Sequence, residues 1–533
     1  MTKQRSLIRT LFVSISCLIF LLFLSACEPE TVDTGLVVTL IADGRERAIP
    51  QTQPITVGEL LRAQEIELSA LDDVNPPIFT QITNGMRITV VRVTEENECE
   101  ENPLAYQTRR VPNEALQSGQ ERLAQSGQPG REQVCYRVQI RDGVPQPRVE
   151  VSRVVVSAPQ DEVIYIGPSG TIQSMPITGT LAYISSDNIW IVRGDTTNKL
   201  QLTTTNDVDQ RVFSLSPDGE SLIYARTTYG TDTQSTFNRL YLLNNTRNQV
   251  TPLQLLPENV LYAEWVPGQA NTFSYSTGQV TTTAPGWDAD NNLWLMQINP
   301  ATGESVDASQ LVPDSFGGFY GWWGTYFRWS PDGSQLAWSS ADTTGIVDLE
   351  TGDLIPLLTY PYFQTNQPWS WRSTVSFSPE NDFILTTIHG LPVGSEPPAT
   401  SPAFHVAVSD LEGTLNVTLA QNAGIWSTPQ YAPINTVNNA SIAYLRARDL
   451  SNNVNATAAY DLVVADRDGS NARVIFPESG GAGLNANASF TWSPDGENIA
   501  FIFQGNVWVV NVNTRSANQV TLDGNASRPI WVP

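Results

Sequence analysis

The sequence predicts a mainly β protein whose C-terminal two thirds form a seven-bladed β-propeller, with six blades as the alternative. Residues 171–533 contain short strand-like segments between turns rich in Gly, Pro, Asn and Asp, with almost no helical periodicity. A signature of an aromatic residue or leucine, any residue and proline recurs there, with successive prolines 39 to 64 residues apart. A repeat of this length with four strands is typical of a propeller blade.

The signature has seven copies, and two of them show the full repeat. These are the segments that start FRWSPDGSQLAWSS at residue 327 and FTWSPDGENIAFIF at residue 490. Proline and glycine in SPDG suit a tight turn between the first two strands. The full copies resemble the repeats of TolB-like propellers. The signature prolines are Pro217, Pro267, Pro331, Pro379, Pro433, Pro494 and Pro533.

The two ends of the propeller region complement each other. Residues 180–202 have the patterns of the second, third and fourth strands of a blade, but no first strand precedes them. The C-terminal SRPIWVP, residues 527–533, has the pattern of a first strand with nothing after it. We therefore predict that Ile530 and Trp531 pair beside residues 181–184, so that the C-terminal strand closes the ring and no sheet edge stays open.

The N-terminus has the plan of an export signal, with basic residues, an apolar run from Leu11 to Leu24 and small residues before Cys27. A transmembrane anchor is the alternative, because the run approaches the length of a bilayer span. The tetrad LSAC resembles the lipobox of bacterial lipoproteins, which implies a signal peptide over 1–26, lipidation of Cys27 and a linker over 27–35. The mature chain is then extracytoplasmic and held on the cell-envelope membrane by its lipid anchor.

Residues 36–94 read as a small α+β domain. The strand LVVTLI is followed by TVGELLRAQEIEL, in which Thr56 and Glu59 have the spacing of a helix capping box. A second strand, MRITVVRV, closes the domain. The segments ITVGELL and NGMRITVVRV resemble the ubiquitin-like domain near the N-terminus of resuscitation-promoting factors and related cell-wall proteins.

Residues 95–170 alternate apolar and polar residues in several strands, with a turn at Asp142-Gly143. The segment resembles the G-five domain, an extended β module named for its five glycines. That resemblance implies contact with cell-wall or matrix glycan of the N-acetylglucosamine type, although the glycines are also needed for tight turns. The matching glycines are Gly119, Gly127, Gly130, Gly143 and Gly167.

Four cysteines limit the redox and metal chemistry. If Cys17 leaves with the signal and Cys27 is acylated, Cys99 and Cys135 are the remaining thiols in a compartment that permits oxidation. We predict a disulfide between them, with two unpaired cysteines as the alternative. The chain has no C-x-x-C motif and contains two histidines. We therefore predict no metal site and no cofactor.

The charge excludes one class of partner. The formal net charge is −24 and the pI is about 4.4. Nucleic-acid binding depends on Lys and Arg that neutralise phosphates, so we expect no nucleic-acid partner. The same charge repels anionic polymers at long range.

The predicted propeller has one end with short turns and one end with long connections, at 227–238, 276–290, 389–402 and 446–459. Function is often placed on such loops over a rigid scaffold. Aromatic residues concentrate there and could bind sugar rings or an extended peptide, although they could equally fill gaps between blades. The candidate ligand-binding residues are Trp287, Phe319, Tyr320, Trp322, Trp323, Tyr362, Trp369 and Trp371.

No catalytic set is recognisable. The sequence has no G-x-S-x-G motif, and no two carboxylates stand out as a glycosidase pair. The spacing of Asp288, Asp290 and Asn292 only partly matches a calcium loop. The sequence thus favours a monomeric, non-catalytic lipoprotein that binds glycan, envelope protein or both. A propeller enzyme that acts on polysaccharide with paired carboxylates is the alternative, and a TolB-like assembly scaffold is a third hypothesis.

Overall fold

The computed structural model describes residues 35–114, 116–228, 235–365, 367–434, 441–486 and 488–533. The described chain divides into two compact units. The first unit contains the residues up to 106 together with 128–160, and the second contains 107–127 and 161–533.

The N-terminal third of the described chain is mostly strand. Its helix is α1 (Val57–Ala63). Its strands are β1 (Leu36–Ala42), β2 (Arg45–Gln51), β3 (Asp73–Asn75), β4 (Arg87–Val91), β5 (Val93–Leu104), β6 (Thr108–Pro112), β7 (Glu121–Gln125), β8 (Gly130–Arg141), β9 (Val144–Pro145), β10 (Val149–Ser157) and β11 (Glu162–Ile166).

In the first unit, α1 covers a sheet of order β2-β1-β4-β3, in which β1 and β4 are parallel. The helix begins where the sequence predicts it. The Glu59 backbone N–H donates to Thr56 Oγ1 at 3.3 Å, and the Thr56 N–H donates to Glu59 Oε2 at 2.8 Å. Val57, Leu60 and Leu61 are buried against the sheet, which confirms the predicted small α+β domain.

The second sheet of the first unit is long and thin. Strands β5 and β8 pair over their full length, from Val93 opposite Arg141 to Leu104 opposite Gly130. β10 lies on the other side of β8, and β9 pairs with its end. Cys99 and Cys135 are directly opposite each other and form a disulfide, with Cα atoms 4.0 Å apart. Most side chains on this sheet are exposed, so the cross-link ties together strands that have little apolar core.

The second unit begins with a three-stranded sheet of order β6-β11-β7, in which β6 and β11 are parallel. The segment that the sequence assigns to one G-five module therefore supplies strands to both units. In the second unit, Glu114 lies beside β6 and forms an ion pair with Lys199. Only 6% of the Glu114 side chain and 9% of the Lys199 side chain are exposed. The Leu522 backbone N–H also donates to Glu114, so this carboxylate joins the small sheet to the C-terminal region.

The rest of the second unit is built from strands β12 to β41. They are β12 (Pro176–Ser185), β13 (Asn188–Asp195), β14 (Lys199–Gln201), β15 (Val208–Leu215), β16 (Leu222–Thr227), β17 (Asn238–Leu243), β18 (Leu253–Glu258), β19 (Val260–Trp265), β20 (Thr272–Val280), β21 (Trp287–Ala289), β22 (Leu293–Ile298), β23 (Ser305–Val312), β24 (Tyr326–Trp329), β25 (Leu336–Ser339), β26 (Thr343–Val347), β27 (Leu354–Thr359), β28 (Val375–Phe377), β29 (Phe383–His389), β30 (Phe404–Asp410), β31 (Asn416–Ala420), β32 (Gln430–Tyr431), β33 (Ser441–Ala447), β34 (Ala459–Asp466), β35 (Arg473–Phe476), β36 (Leu484–Asn485), β37 (Phe490–Trp492), β38 (Asn498–Phe503), β39 (Asn506–Asn511), β40 (Ala517–Gln519) and β41 (Ala526–Val532).

Among the described residues these strands form seven antiparallel sheets, each built on a path of four strands. Two short strands add to them, because β21 pairs with β20 and β36 pairs with β34. From first to last strand the sheets are blade 1 (β41-β12-β13-β14), blade 2 (β15-β16-β17-β18), blade 3 (β19-β20-β22-β23), blade 4 (β24-β25-β26-β27), blade 5 (β28-β29-β30-β31), blade 6 (β32-β33-β34-β35) and blade 7 (β37-β38-β39-β40).

Apolar clusters join each blade to the next. Blades 1 and 2, 2 and 3, 3 and 4, 4 and 5, 5 and 6, and 6 and 7 each share a cluster of buried side chains. A further cluster joins blade 7 back to blade 1. The first strands of neighbouring blades also contact one another, for example β41 with β15 and β15 with β19. The sheets therefore form a closed ring, as the sequence predicts, and their first strands lie toward its centre.

The C-terminal strand closes the ring. Strand β41 pairs antiparallel with β12, with Trp531 opposite Leu181 and Ile530 opposite Ala182. The Trp531 side chain is only 6% exposed, and its indole N–H donates to the Thr178 carbonyl at 2.7 Å. The predicted pairing is confirmed. Closure gives the inner edge of β12 a partner, and that edge would otherwise be open to pairing with other chains.

The SPDG turns link the first and second strands of a blade. In blade 4 the Asp332 carboxylate accepts from the Ser330 hydroxyl at 2.7 Å and from the Ser334 backbone N–H at 2.9 Å. Gly333 has φ +73°, and a Cβ there would lie 2.1 Å from the Pro267 carbonyl oxygen of blade 3. This position needs glycine both for its backbone conformation and for the close approach of the neighbouring blade.

Candidate functional site

The aromatic segment between β23 and β24 is held by a buried asparagine. It contains a 3₁₀ turn over Gly321–Trp323. The Asn291 side chain is 1% exposed, and its amide donates to the carbonyls of Ser315 at 3.2 Å and Gly321 at 3.0 Å. Its carbonyl accepts from the Thr325 hydroxyl at 2.9 Å. Asn291 thus fixes both ends of this segment against blade 3.

Seven aromatic rings on this end of the propeller form a continuous series, which we call the aromatic ridge. Ring centroids are 6.3 Å apart for Phe237 and Trp287, 5.3 Å for Trp287 and Trp323, 5.7 Å for Trp323 and Trp322, 6.2 Å for Trp322 and Tyr320, 5.8 Å for Tyr320 and Tyr362, and 4.6 Å for Tyr362 and Phe319. These separations lie in the usual range for interacting aromatic pairs. Loops of blades 2, 3 and 4 therefore contribute to one surface.

The rings of the aromatic ridge are held by their neighbours and are at least partly exposed to solvent. Phe319 is 58% exposed and stacks nearly parallel on Tyr362, with an angle of 21° between the ring planes. The other ridge residues are partly exposed. Phe316, in the same segment, is 98% exposed. An exposed ring that is fixed by its neighbours can bind a flat apolar surface at a small cost in side-chain entropy.

One end of the ridge lies beside an ion pair on the first strand of blade 2. The Arg211 guanidinium stacks over Phe237 at 4.6 Å and over Trp287 at 4.7 Å from the ring centroids. It also pairs with Asp209 at 2.6 Å. The Asn238 side chain donates to the same carboxylate at 2.9 Å. Arg211 therefore connects the ridge to the centre of the ring.

The structure brings together six of the eight predicted ligand-binding residues and separates the other two. Trp371 is 3% exposed and packs against Tyr360 and Phe404, while its indole N–H donates to the Ile425 carbonyl at 3.0 Å. The prediction for Trp371 is wrong, because a ring buried between loops offers no face to a ligand. Trp369 is partly exposed and contacts Trp426 at 5.6 Å, in a pair outside the ridge.

Sequence reasoning missed two groups of residues at this end. Phe237 belongs to the ridge, but it stands alone at the end of a long loop, without the aromatic neighbours that mark the other segments. The second group is charged and lies on or next to the first strands. A signal for part of it is present, because the residue before the signature tryptophan is charged in two copies, at Glu264 and Arg328.

The acidic side chains on the first strands already have ion-pair or hydrogen-bond partners. Glu264 pairs with Arg328 at 2.7 Å and accepts from the Tyr262 hydroxyl at 2.7 Å. Burial raises the pKa of Tyr262, and the neighbouring Glu264 carboxylate raises it further, so this hydroxyl stays protonated. Asp209 is held by Arg211 as described above. Carboxylates whose oxygens are occupied by such partners suit a structural role better than a catalytic one.

Other candidate sites are less suited to a ligand with stacking rings. Asp290 accepts from the Thr277 hydroxyl at 2.7 Å and Asn292 from the Thr277 backbone N–H at 3.0 Å, so these two residues of the partial calcium-loop pattern bind the adjacent strand. Within the described chain no group of three or more His, Cys, Asp or Glu side chains is placed to hold a metal ion. A cavity of about 1020 Å³ beside β35 has no aromatic residue in its lining.

The predicted lipidation residue, Cys27, lies outside the described residues, as do the signal segment 1–26 and most of the linker 27–35. Among the residues that the structure describes, no helix has the length and apolar character needed to cross a bilayer.

Comparison with known families identifies both N-terminal modules. Residues 85–169 match the G5 domain, and residues 38–78 match the G5-linked ubiquitin-like domain. Residues 441–530, in blades 6 and 7 and strand β41, match the N-terminal region of dipeptidyl peptidase IV. The two resemblances predicted for the N-terminal third are confirmed.

Two curated relatives match about three tenths of the chain. The chain is 24% identical over 155 residues to resuscitation-promoting factor RpfB of Mycolicibacterium smegmatis, covering 29% of this chain and 41% of that protein. It is 25% identical over 171 residues to resuscitation-promoting factor Rpf2 of Corynebacterium glutamicum, covering 31% of this chain and 46% of that protein. The chain thus spans less than half the length of these two relatives.

Over the propeller, the chain is similar to a solved structure described as "putative TolB from Agrobacterium tumefaciens". The two are 12% identical, and the match covers 68% of this chain and all of that one, with a TM-score of 0.34.

Proposed function

We propose that this chain, which carries a G5 domain, a G5-linked ubiquitin-like domain and a β-propeller, is a non-catalytic, lipid-anchored binding protein of the cell envelope. Its propeller binds saccharide through the aromatic ridge, and its G5 domain contacts cell-wall glycan of the N-acetylglucosamine type. The kinship of the N-terminal modules supports the envelope location and the glycan partner.

The observation that carries the proposal is the continuity of the ridge. Seven rings from three blades touch in series and keep an exposed edge. Pyranose rings present a flat face of C–H groups, which lies well on aromatic rings. A series of rings fits several consecutive sugar residues better than one small molecule. Because the ridge is pre-formed, little binding energy is lost in ordering it.

Tryptophan fluorescence can test the saccharide site directly. All 14 tryptophans lie within residues 190–531, so a titration of the full chain with N-acetylglucosamine tetrasaccharide reports binding at the propeller alone. Phe319→Ala and Tyr362→Ala each remove one ring of the stacked pair but no tryptophan. We expect each to raise the Kd about tenfold, the effect of losing roughly 1.4 kcal/mol at an aromatic contact.

Phe79→Ala is the matched control, since Phe79 is 79% exposed and belongs to the first unit. A Kd that is unchanged in both ridge variants, or raised equally in the control, contradicts the proposed site. Reducing ends released from the tetrasaccharide would contradict a non-catalytic role and favour the polysaccharide-active alternative. Retention of the full chain on purified peptidoglycan tests the wall contact, and recovery no greater than that of an acidic control protein would remove it.

A further inference from the structure

One guanidinium lies in the corner between the aromatic ridge and the first strand of blade 2. Arg211 stacks over Phe237 and Trp287, at 4.6 and 4.7 Å from the two ring centroids. Those centroids are 6.3 Å apart, so both rings flank the same guanidinium. The Arg211 side chain is 28% exposed, and both rings are partly exposed. This corner, formed by Arg211, Phe237 and Trp287, is therefore accessible from solvent.

The guanidinium is held firmly by a buried acid. Nε of Arg211 lies 2.9 Å from each Asp209 oxygen, and Nη2 lies 2.6 Å from Oδ2. The Asp209 side chain is 6% exposed, and it also accepts from the Arg211 backbone N–H at 3.0 Å and from the Asn238 amide at 2.9 Å. Each Asp209 oxygen thus accepts at least two hydrogen bonds from the protein, and the guanidinium has a fixed orientation.

Nη1 is the donor of Arg211 that remains for a ligand. Nε and Nη2 are occupied by Asp209, whereas Nη1 makes no hydrogen bond with the described residues. The ion pair cancels the net charge of the guanidinium, so the corner has little attraction for an anion. What it offers is one oriented, charge-assisted N–H donor beside two apolar ring faces.

An acetamido group has the complementary parts. Its carbonyl oxygen is a better acceptor than a hydroxyl oxygen, and its methyl group is apolar. With the carbonyl oxygen on Nη1 of Arg211, the methyl group can pack on Phe237 or Trp287. A carboxylate would instead meet Asp209, which lies 2.6 Å from the guanidinium, and the long-range repulsion of a net charge of −24.

We propose that Arg211, Phe237 and Trp287 form a subsite for the acetamido group of an N-acetylated sugar at the blade 2 end of the aromatic ridge. The inference rests on the proposed saccharide function and narrows the ligand of the propeller from saccharides in general to glycans that contain N-acetylhexosamine. It also fixes where that sugar lies. Its neighbours in the glycan extend from Trp287 toward Trp323, the next ring of the ridge.

The test compares two neutral tetrasaccharides with the same linkage. The N-acetylglucosamine tetramer carries an acetamido group at the second carbon of each sugar, and cellotetraose carries a hydroxyl there. Tryptophan fluorescence of the full chain reports binding at the propeller, since every tryptophan lies there. We expect the acetylated tetramer to bind about tenfold more tightly, the effect of one hydrogen bond to a charged group. Phe319→Ala should weaken both sugars alike, because it removes a ring at the other end of the ridge.

Variants of Arg211 separate recognition from folding. Arg211→Gln should abolish the preference for the acetylated tetramer and change cellotetraose binding little. Arg211→Lys can keep the ion pair with Asp209 but has no second nitrogen, so it should lose the preference while remaining folded. Arg226→Gln is the matched control, because Arg226 in the same blade stacks over Tyr241 at 4.8 Å and pairs with Asp207 at 2.6 Å outside the ridge. It should keep the preference. Urea unfolding of each variant checks its stability.

Three results would overturn the inference. They are equal affinity of the unmodified chain for the two tetrasaccharides, a preference that survives in Arg211→Lys, and an equal loss of preference in Arg226→Gln. If both sugars bind equally and Phe319→Ala weakens both, the proposed saccharide function stands and the acetamido subsite falls. If neither sugar binds, both fall together.

Discussion

Replacement of Trp531 by alanine tests whether the C-terminal strand holds the propeller together. The indole is 6% exposed, lies in the cluster shared by blades 7 and 1, and donates to the Thr178 carbonyl. Trp→Ala in a core costs about 3–5 kcal/mol. Trp531→Phe keeps most of the apolar ring and loses mainly the hydrogen bond, so it should cost about 1 kcal/mol from that bond and somewhat more from the smaller ring.

Urea unfolding followed by tryptophan fluorescence measures both variants, because every tryptophan of the chain lies in the propeller. Trp287→Ala is the matched control, since Trp287 is partly exposed on the ridge. Deletion of 526–533 should be more severe, because it leaves the edge of β12 unpaired at the ring centre. The closure argument fails if Trp531→Ala unfolds at the wild-type urea concentration, or if it is no more destabilised than Trp287→Ala.

Two further predictions concern charged groups in the two units. Lys199→Met should destabilise the second unit by about 3–5 kcal/mol, because it leaves the buried Glu114 carboxylate unpaired. Adding Glu114→Leu should restore much of that loss. Equal stability of the single and double variants in urea unfolding would contradict this prediction. In the first unit, burial opposes ionisation of Asp72, but hydrogen bonds from two backbone amides and the Arg92 guanidinium outweigh it and lower its pKa. A carboxyl whose folded pKa lies below its unfolded value near 3.9 adds stability above that value and loses it as the pH falls. The protection factors of the α1 amides, which are exchange rates corrected for the intrinsic effect of pH, should therefore fall between about pH 5 and pH 2, and Asp72→Asn should flatten that dependence. An unchanged pH profile of the protection factors in the variant would refute the assignment.

The candidate site shows which of its features can be predicted from a single segment of the sequence. Segments such as PDSFGGFYGWWG predict an aromatic surface, because so many aromatic residues in one loop between strands are unusual. They do not say which ring stays exposed. Trp322 and Trp371 stand in similar runs, yet Trp371 finds Tyr360 and Phe404 from other loops and is buried. Burial depends on neighbours that are distant in sequence, so one chain segment cannot decide it.

The sequence by itself determined the strand period, the SPDG turns, the capping box at Thr56 and the closure of the ring by the C-terminal strand. Each of these depends on residues close together in sequence or on an incomplete repeat that lacks one identifiable strand. Tertiary structure alone decided which aromatics form the ridge and that part of the G5 segment packs with the propeller through Glu114 and Lys199. These features arise from contacts between blades and between distant segments. Such contacts follow from packing in three dimensions, which the pattern of any single repeat does not encode.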